Sequence, residues 1–305
     1  MLAYILRRCF YAIFVLYGVA TIVFFISRLT GDPVSIMLPP EATVEQVEQL
    51  RRALGLDKPL IEQYGIFLAN LAQLNLGDSL RYGEPALRLI GERLPATMQL
   101  AGTALVLSLL ISVPAGIISA LKRGTLSESG ITVFVLIGQS IPVFWLGIVL
   151  IMLFAVHWTI FPTGGIGTWQ HLVLPAVALA FNMIALVTRL LRSSLIEQMG
   201  SDYVRTARAK GLLPRSVVGK HAVRNSLLPV ITVVGLEIGS LLGGSVVTET
   251  VFAWPGVGQL LIQAINYRDF PLVQAIIILL AGVFVIVNLI VDVLYAVLDP
   301  RIQYK

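Results

Sequence analysis

The stretch DYVRTARAKGLLPRSVVGKHAVRN, Asp202–Asn225, lies between two strongly apolar runs and gathers Arg205, Arg208, Lys210, Arg215, Lys220 and Arg224. The chain around it is 57% hydrophobic and only 13% charged. A cationic cluster between two apolar segments reads as a loop held on one side of a membrane, so the flanking runs decide its meaning.

Those runs are long enough to span. Mean hydropathy is +0.86, and roughly 20 apolar residues cross the hydrocarbon of a bilayer. Six runs have that length: Cys9–Arg28, Met98–Leu121, Gly130–Val156, Leu172–Arg189, Leu227–Thr248 and Leu272–Leu298. Backbone facing lipid must satisfy its own hydrogen bonds, so each is predicted to be a helix and the protein an all-α membrane protein with six transmembrane helices. Pro114 and Pro142 fall inside the second and third runs and predict kinks. Leu94-Pro95, Leu174-Pro175 and Leu228-Pro229 read as span starts, where a missing N–H costs nothing. The first run is longer than the apolar part of a signal peptide and no A-x-A pattern follows it, so it reads as a retained helix.

Lysine and arginine set the orientation. Arg7 and Arg8 precede the first span, Lys122 and Arg123 join the second and third, and Arg301 and Lys305 end the sequence. The stretch His157–His171 has no Asp, Glu, Lys or Arg, and Phe252–Pro271 has only Arg268 and Asp269. By the positive-inside rule both termini and the basic loop are expected in the cytoplasm. The division that follows is a first transmembrane helix at 1–28, an extracytoplasmic subdomain at 29–97, a five-helix core at 98–298 with the basic loop at 190–226, and a cytoplasmic tail at 299–305. The single cysteine, Cys9, lies in a membrane run, so the outer segment has no disulfide to staple it.

The bland account of the basic loop is electrostatic: its cations fix topology and attract anionic lipid at about 1 kcal/mol each. That explains the charge and leaves the pattern unexplained. Asp202 is placed to cap a helix whose Tyr203, Thr206, Ala207 and Ala209 form a small-residue surface among arginines. Gly211 breaks it, Leu212 and Leu213 present an apolar pair, and Pro214 starts a second helical stretch reaching Asn225. Exposed leucines at a glycine break read as a docking knob for a partner.

Elsewhere the signals are weaker. Gly235, Gly239 and Gly243 form a small-residue stripe in the fifth run, suited either to packing within the chain or to a second subunit. Glu237 lies on another face of that helix. A carboxylate in mid-span costs roughly 2.5–3.5 kcal/mol, so it is expected to line a polar pathway or meet a partner. Asn288 and Asp292, one turn apart, read as a structural hydrogen-bonding pair. FAWPGVG, Phe252–Gly258, requires a sharp turn, and Phe252, Trp254, Pro255 and Gly256 suggest a re-entrant or membrane-capping element with interfacial aromatics. In the outer segment ATVEQVEQLRRALG, Ala42–Gly55, has the periodicity of an amphipathic helix. Enzymatic readings find no support: His157, His171 and His221 are scattered, and no G-x-x-x-x-G-K-[ST] loop occurs.

Arg205-Thr206-Ala207-x-x-x-Gly211, followed by Leu228-Pro229, resembles the EAA loop of ATP-binding-cassette importer permeases. The general pattern has glutamate where Arg205 stands, alanine where Thr206 stands, and an earlier Leu-Pro. The longer forms DYVRTARAKG and HAVRNSLLPVIT are similar to the peptide and nickel branch, B-type subunit. GDP at Gly31–Pro33, LGLDKPL at Leu54–Leu60, LPAT at Leu94–Thr97, WQHLVLPA at Trp169–Ala176, FAWPGVG, RDFPLVQ at Arg268–Gln274 and DPRI at Asp299–Ile302 extend the likeness along the chain. The resemblance implies a type I importer transmembrane domain in a bacterial inner membrane, paired with a homologous second permease. It also implies two ATP-binding subunits that carry ATP and Mg, and an extracytoplasmic substrate-binding protein. This chain is then expected to be no enzyme, to bind no cofactor or metal itself, to contact membrane lipid, and to have no nucleic-acid partner. Arg205, Thr206, Ala207, Arg208, Gly211, Leu212, Leu213 and Pro214 become the ATPase-coupling residues; Glu237, Gly239, Trp254, Pro255 and Gly256 are pathway or gate candidates. Short peptides are the implied cargo, with glutathione or a nickel chelate as the alternative. An ion-coupled secondary transporter is the rival outside the family.

Overall fold

The structure, a computed structural model, describes residues 2–29, 34, 42–53 and 55–298. The GDP and DPRI motifs, the 299–305 tail and the side chain of Asp292 lie outside the described residues.

In chain order, α1 (Leu2–Leu29) is followed by α2 (Val44–Ala53) and α3 (Leu60–Ala72). The second begins where the amphipathic pattern does, with Thr43 and Gln46 exchanging backbone-to-side-chain bonds at 3.0 and 3.3 Å, a capping box. Next come α4 (Ala86–Leu121), α5 (Leu126–Ser140) and α6 (Val143–Leu150), which runs on as a π-helical turn at Ile151–His157. They lead to α7 (Trp169–Met199), α8 (Asp202–Ala209), α9 (Arg224–Val251), α10 (Val257–Asn266) and α11 (Phe270–Leu298). Among the described residues there is no strand, only one isolated bridge between Asp78 and Pro85.

Among the described residues five helices are long and apolar enough to span, and a sixth span exists if α5 and the segment Val143–His157 count as one bent pair. The bend is 108°, so Pro142 does more than kink this span. It forces Ile141 out of helical geometry, to φ −89° and ψ 124°, and caps a new helix. The three Leu-Pro pairs are also placed differently from expectation. Pro95, Pro175 and Pro229 lie inside α4, α7 and α9, not at their starts. Apolarity marks the part of a helix suited to lipid, whereas backbone hydrogen bonding continues into polar sequence until something stops it. Residues 86–97, assigned to the outer segment by composition, are for that reason the first turns of α4.

Contacts divide the chain into two compact units, one built from 2–96 and 255–286, the other from 97–254 and 287–298. In the first, Ala86, Ile90, Val257, Leu260, Leu272 and Ile276 form the core. Aromatic contacts join α3 to α1: the Phe24 ring lies 5.3 Å from Tyr64 and 5.2 Å from Phe67, and the Thr21 and Tyr64 hydroxyls share a 2.7 Å bond. Buried Asp269 precedes α11 and organises the turn at 79–82. Its carboxylate accepts from the Ser79 hydroxyl and from the Leu80, Arg81 and Leu272 amides at 3.1, 3.2 and 3.3 Å. The motif RDFPLVQ thus supplies a helix cap that also clamps a distant turn.

In the second unit α7 is central: 61% of its apolar window is buried, against 22–33% in the other long spans. Close crossings explain its neighbours. A Cβ on Gly116 would meet Leu191 Cβ at 3.0 Å, and one on Gly138 would meet Ala185 Cβ at 2.9 Å. Small residues let membrane helices approach where apolar burial alone gives no preference over lipid.

Candidate functional site

The basic loop folds as a docked helical hairpin. Residues 190–199 belong to α7, Ser201 takes the N-cap position of α8, and Asp202 is its first helical residue. Asp202 is not the cap expected from sequence; its charge sits in the first turn, favourable to the helix dipole. The C-terminus of α8 closes with Gly211 N–H donating to Arg208 O at 3.0 Å and Leu212 N–H donating to Ala207 O at 3.4 Å. This Schellman arrangement needs a left-handed residue, and Gly211 has φ +74°. Pro214 then opens a helical turn that passes through π-helical Val217–Val223 into α9 without a break. The second helical stretch is therefore the first part of a span.

The two faces of α8 differ in chemistry. Val204 and Ala207 are buried with Leu195, Val217 and Ala222. Partly buried Ile117 and Ala120 of α4 pack against the same cluster. Ala207 is thus on the inner face, whereas Tyr203, Thr206 and Ala209 of the same small-residue surface are exposed among the arginines. Arg205, Thr206, Arg208 and Lys210 are exposed. Arg205 reaches Asp202 at 3.3 Å with both groups well exposed, a contact of little energetic weight. The Thr206 hydroxyl donates to Asp202 O at 2.9 Å and Tyr203 OH donates to Gln198 Oε1 at 2.7 Å, so local bonds hold the helix in place. Leu212 and Leu213 are 41% and 75% exposed, beside a Pro214 that fixes the turn. The result is a rigid element seated on the ends of three helices, with cations and two leucines turned outward.

Close by, α7 grips α5 through Arg192, which pairs with Glu128, and Arg189, which donates to Gln139 Oε1 at 2.9 Å. Glu128 Oε2 also accepts from the Gly124 amide at 2.5 Å. These contacts tie α7, whose end leads into α8, to the first half of the broken span.

The pathway candidates are spread along α9 and beyond it. Glu237 is half-buried and Gly239 buried, about 20 Å along the axis from Arg224. Gly235 packs within the chain: a Cβ there would fall 2.4 Å from Val291 Cγ1. Gly243 faces open space, so the stripe divides into a packed end and an unoccupied end. Phe252 and Trp254 are 2% and 1% exposed, which overturns the interfacial-aromatic expectation. Phe252 is enclosed by Ala155, Leu174 and Ala178, and its carbonyl accepts from Gly165 N at 2.8 Å. Gly164 approaches that carbonyl so closely that a Cβ would sit at 2.3 Å. The turn itself is real: Ala253 has φ +48°, and after Pro255 the cap residue Gly256 begins α10.

One candidate was missed. Glu249 is fully buried and accepts from Thr97 Oγ1 at 2.7 Å, while its backbone carbonyl accepts from Trp254 N at 2.8 Å. The signal was present in Thr248-Glu249-Thr250, an acidic residue at the end of an apolar run, and in the Thr97 of LPAT. Among the described residues no group of three or more His, Cys, Asp or Glu could hold a metal.

Long apolar helices, one span of which is broken at Pro142, with a cationic hairpin continuous with two of them, describe a multi-span membrane protein. The family described as "Binding-protein-dependent transport system inner membrane component" matches residues 112–304, and its N-terminal companion matches residues 1–101. The chain belongs to this family of transport-system permeases. It is 42% identical to the di/tripeptide transport system permease protein DppB of Pseudomonas aeruginosa and 42% identical to the oligopeptide transport system permease protein AppB of Bacillus subtilis. It is 40% identical to the glutathione transport system permease protein GsiC of Escherichia coli, and each of these alignments covers all of both chains. A solved structure of the MetNI methionine ABC transporter in an inward-facing conformation shares the fold. It has a TM-score of 0.56 and 19% identity, covering 70% of this chain and 97% of that one.

Proposed function

We propose that this chain is one of two permease subunits of an ATP-driven importer that carries short peptides across a bacterial inner membrane. The observation that carries the reading is the hairpin at 202–216. It is anchored inward by Val204 and Ala207 and presents Arg205, Arg208, Leu212 and Leu213 outward, in a chain 42% identical to two peptide permeases over its full length. A rigid knob continuous with α7 and α9 converts movement of a partner into movement of helices. An ATPase pair seated on it supplies the energy that this chain lacks, since no P-loop occurs in the sequence.

In this reading both termini and α8 face the cytoplasm, and residues 42–85 face an external substrate-binding protein. ATP binding draws the two ATPases together and carries the hairpins inward. The bundle then opens outward to receive peptide, and hydrolysis resets it. Glu237, half-buried in mid-span, lines the route, where a carboxylate suits the α-ammonium of a peptide. Glutathione, itself a short peptide, fits the same chemistry and is the cargo named for one relative.

The test is purification of the complex from its native membrane, followed by peptide uptake into vesicles. Two ATPase copies, a second permease and ATP-dependent uptake of di- or oligopeptide support the reading. Uptake by this chain alone, driven by an ion gradient, would refute it.

A further inference from the structure

The connection between the broken span and α7 turns its largest apolar side chains outward. Trp158, Ile160, Ile166 and Trp169 are 52%, 54%, 52% and 71% exposed, and His157–His171 contains no Asp, Glu, Lys or Arg. Phe252, one of the aromatics expected at a membrane interface, is instead enclosed by the two ends of this connection, at Ala155 and at Leu174 and Ala178. The backbone of the connection is closed on itself. Trp158 N–H donates to Leu153 O at 3.0 Å, and the Ile160 and Phe161 amides share Phe154 O at 2.9 and 3.1 Å. Gly165 N–H donates to Phe252 O at 2.8 Å, and the Thr168 amide donates to His171 Nδ1 at 3.1 Å. The Phe154 and Trp158 rings meet edge to face, 5.0 Å apart. Amides with internal partners tolerate a place where water is scarce.

The length of α7 sets the depth of this surface. From Trp169 to Met199 the helix rises about 45 Å, which matches the roughly 40–45 Å of a bilayer with both of its headgroup layers. Trp169 is its first residue, and cationic α8 follows its last. Trp169 therefore stands at headgroup level, at the end of α7 away from α8. On the other side of the connection, the broken span carries exposed Met152, Leu153 and Val156 straight into Trp158. Surface suited to lipid is thus continuous with the connection.

We propose that residues 157–171 form an interfacial plate seated in the headgroup boundary of the leaflet away from α8, with Trp158, Ile160, Ile166 and Trp169 immersed in lipid. Its partner is the lipid surface itself. Indole suits this place because its ring is apolar while its N–H keeps a wet partner. A soluble protein would be met with a polar rim, and this stretch has no charged Asp, Glu, Lys or Arg to form one. A second membrane subunit would pack closely on small residues, whereas bulky side chains are presented here. The plate also holds the end of α9. Gly165 donates to the Phe252 carbonyl, and Gly164 lies so near that a Cβ would meet that oxygen at 2.3 Å. The turn after α9 is therefore fixed at the same interface.

The experiment uses the whole transporter, purified from its native membrane and reconstituted in vesicles of phosphatidylethanolamine and phosphatidylglycerol, with and without its soluble binding protein. Photoreactive benzoylphenylalanine replaces Ile160 or Ile166. A phospholipid adduct and no polypeptide adduct is expected at both positions on illumination. A crosslink to another polypeptide at either position overturns the proposal, and so does the absence of any lipid adduct, which would place the stretch in water. Depth is read separately from the tryptophans. The emission lost in the Trp158→Phe, Trp169→Phe double variant belongs to these two indoles. It is expected to be quenched about twofold more by phospholipid brominated near the headgroup than by phospholipid brominated at the chain ends, about 15 Å deeper. Equal quenching by the two lipids, stronger quenching by the deeper bromines, or no quenching by either would overturn the placement.

Discussion

Thr97 Oγ1 donates a 2.7 Å hydrogen bond to Glu249 Oε1 where both side chains are buried, joining α4 to the last turn of α9. A buried carboxylate is tolerated only when donors surround it, and removing one donor exposes the cost of desolvation. Thr97→Val is expected to destabilise the protein by about 1–3 kcal/mol, read as a lower melting temperature of the purified complex. Thr97→Ser keeps the hydroxyl and should melt near the wild type. A Thr97→Val protein that melts at the wild-type temperature would show that the bond to Glu249 carries no such weight.

Gly211 at φ +74° closes the Schellman turn that aims Leu212 and Leu213 outward. Gly211→Val places a β-branched side chain in a left-handed conformation, at a local cost of about 1–3 kcal/mol. Membrane insertion depends on the long apolar helices and should be unaffected. Substrate-stimulated ATP hydrolysis by the reconstituted complex should fall about tenfold or more, because one misdirected knob residue cancels a docking contact of that size. Leu212→Asp with Leu213→Asp should do the same without backbone strain. Full stimulation in both variants would remove the hairpin from the coupling route.

The two faces of α8 should separate stability from coupling. Ala207→Leu overfills the cluster formed with Leu195 and Val204 and is expected to cost about 1–3 kcal/mol in stability. Arg205→Ala, at an exposed position, should change stability by no more than about 0.5 kcal/mol while weakening ATPase association. Thermal melting and co-purification of the ATPase measure the two effects separately. A stable Ala207→Leu protein would contradict the observed burial.

The spans and the hairpin were legible because they obey local rules. Gly211 and Pro214 punctuate the loop, and Ala42–Gly55 shows the period of a helix. The rest depended on partners distant in sequence. Nothing near Asp269 discloses that Ser79, Leu80 and Arg81 donate to it. Phe252 and Trp254 look like membrane anchors until α7 and the Gly164–Gly165 turn are seen around Phe252. Hydropathy also misplaced the helix starts, since Pro95, Pro175 and Pro229 mark where apolar sequence begins and not where helical hydrogen bonding does.

Glu237 provides the sharpest test of the transport route. It is half-buried on α9, whose Gly235 is closed against Val291 while Gly243 faces open space. A mid-span carboxylate that served only packing would be replaced by glutamine at little cost, because glutamine matches its shape and retains an acceptor. A carboxylate that meets a peptide's ammonium loses its charge in that exchange, and a charge-assisted hydrogen bond is about twice as strong as a neutral one. Glu237→Gln is therefore expected to leave the melting temperature unchanged and to reduce uptake of peptides with a free amino terminus about tenfold. Uptake of N-acetylated peptides, which carry no such charge, should change little. Uptake of both classes at wild-type rates would place Glu237 outside the pathway, and an equal loss for both would make its role structural.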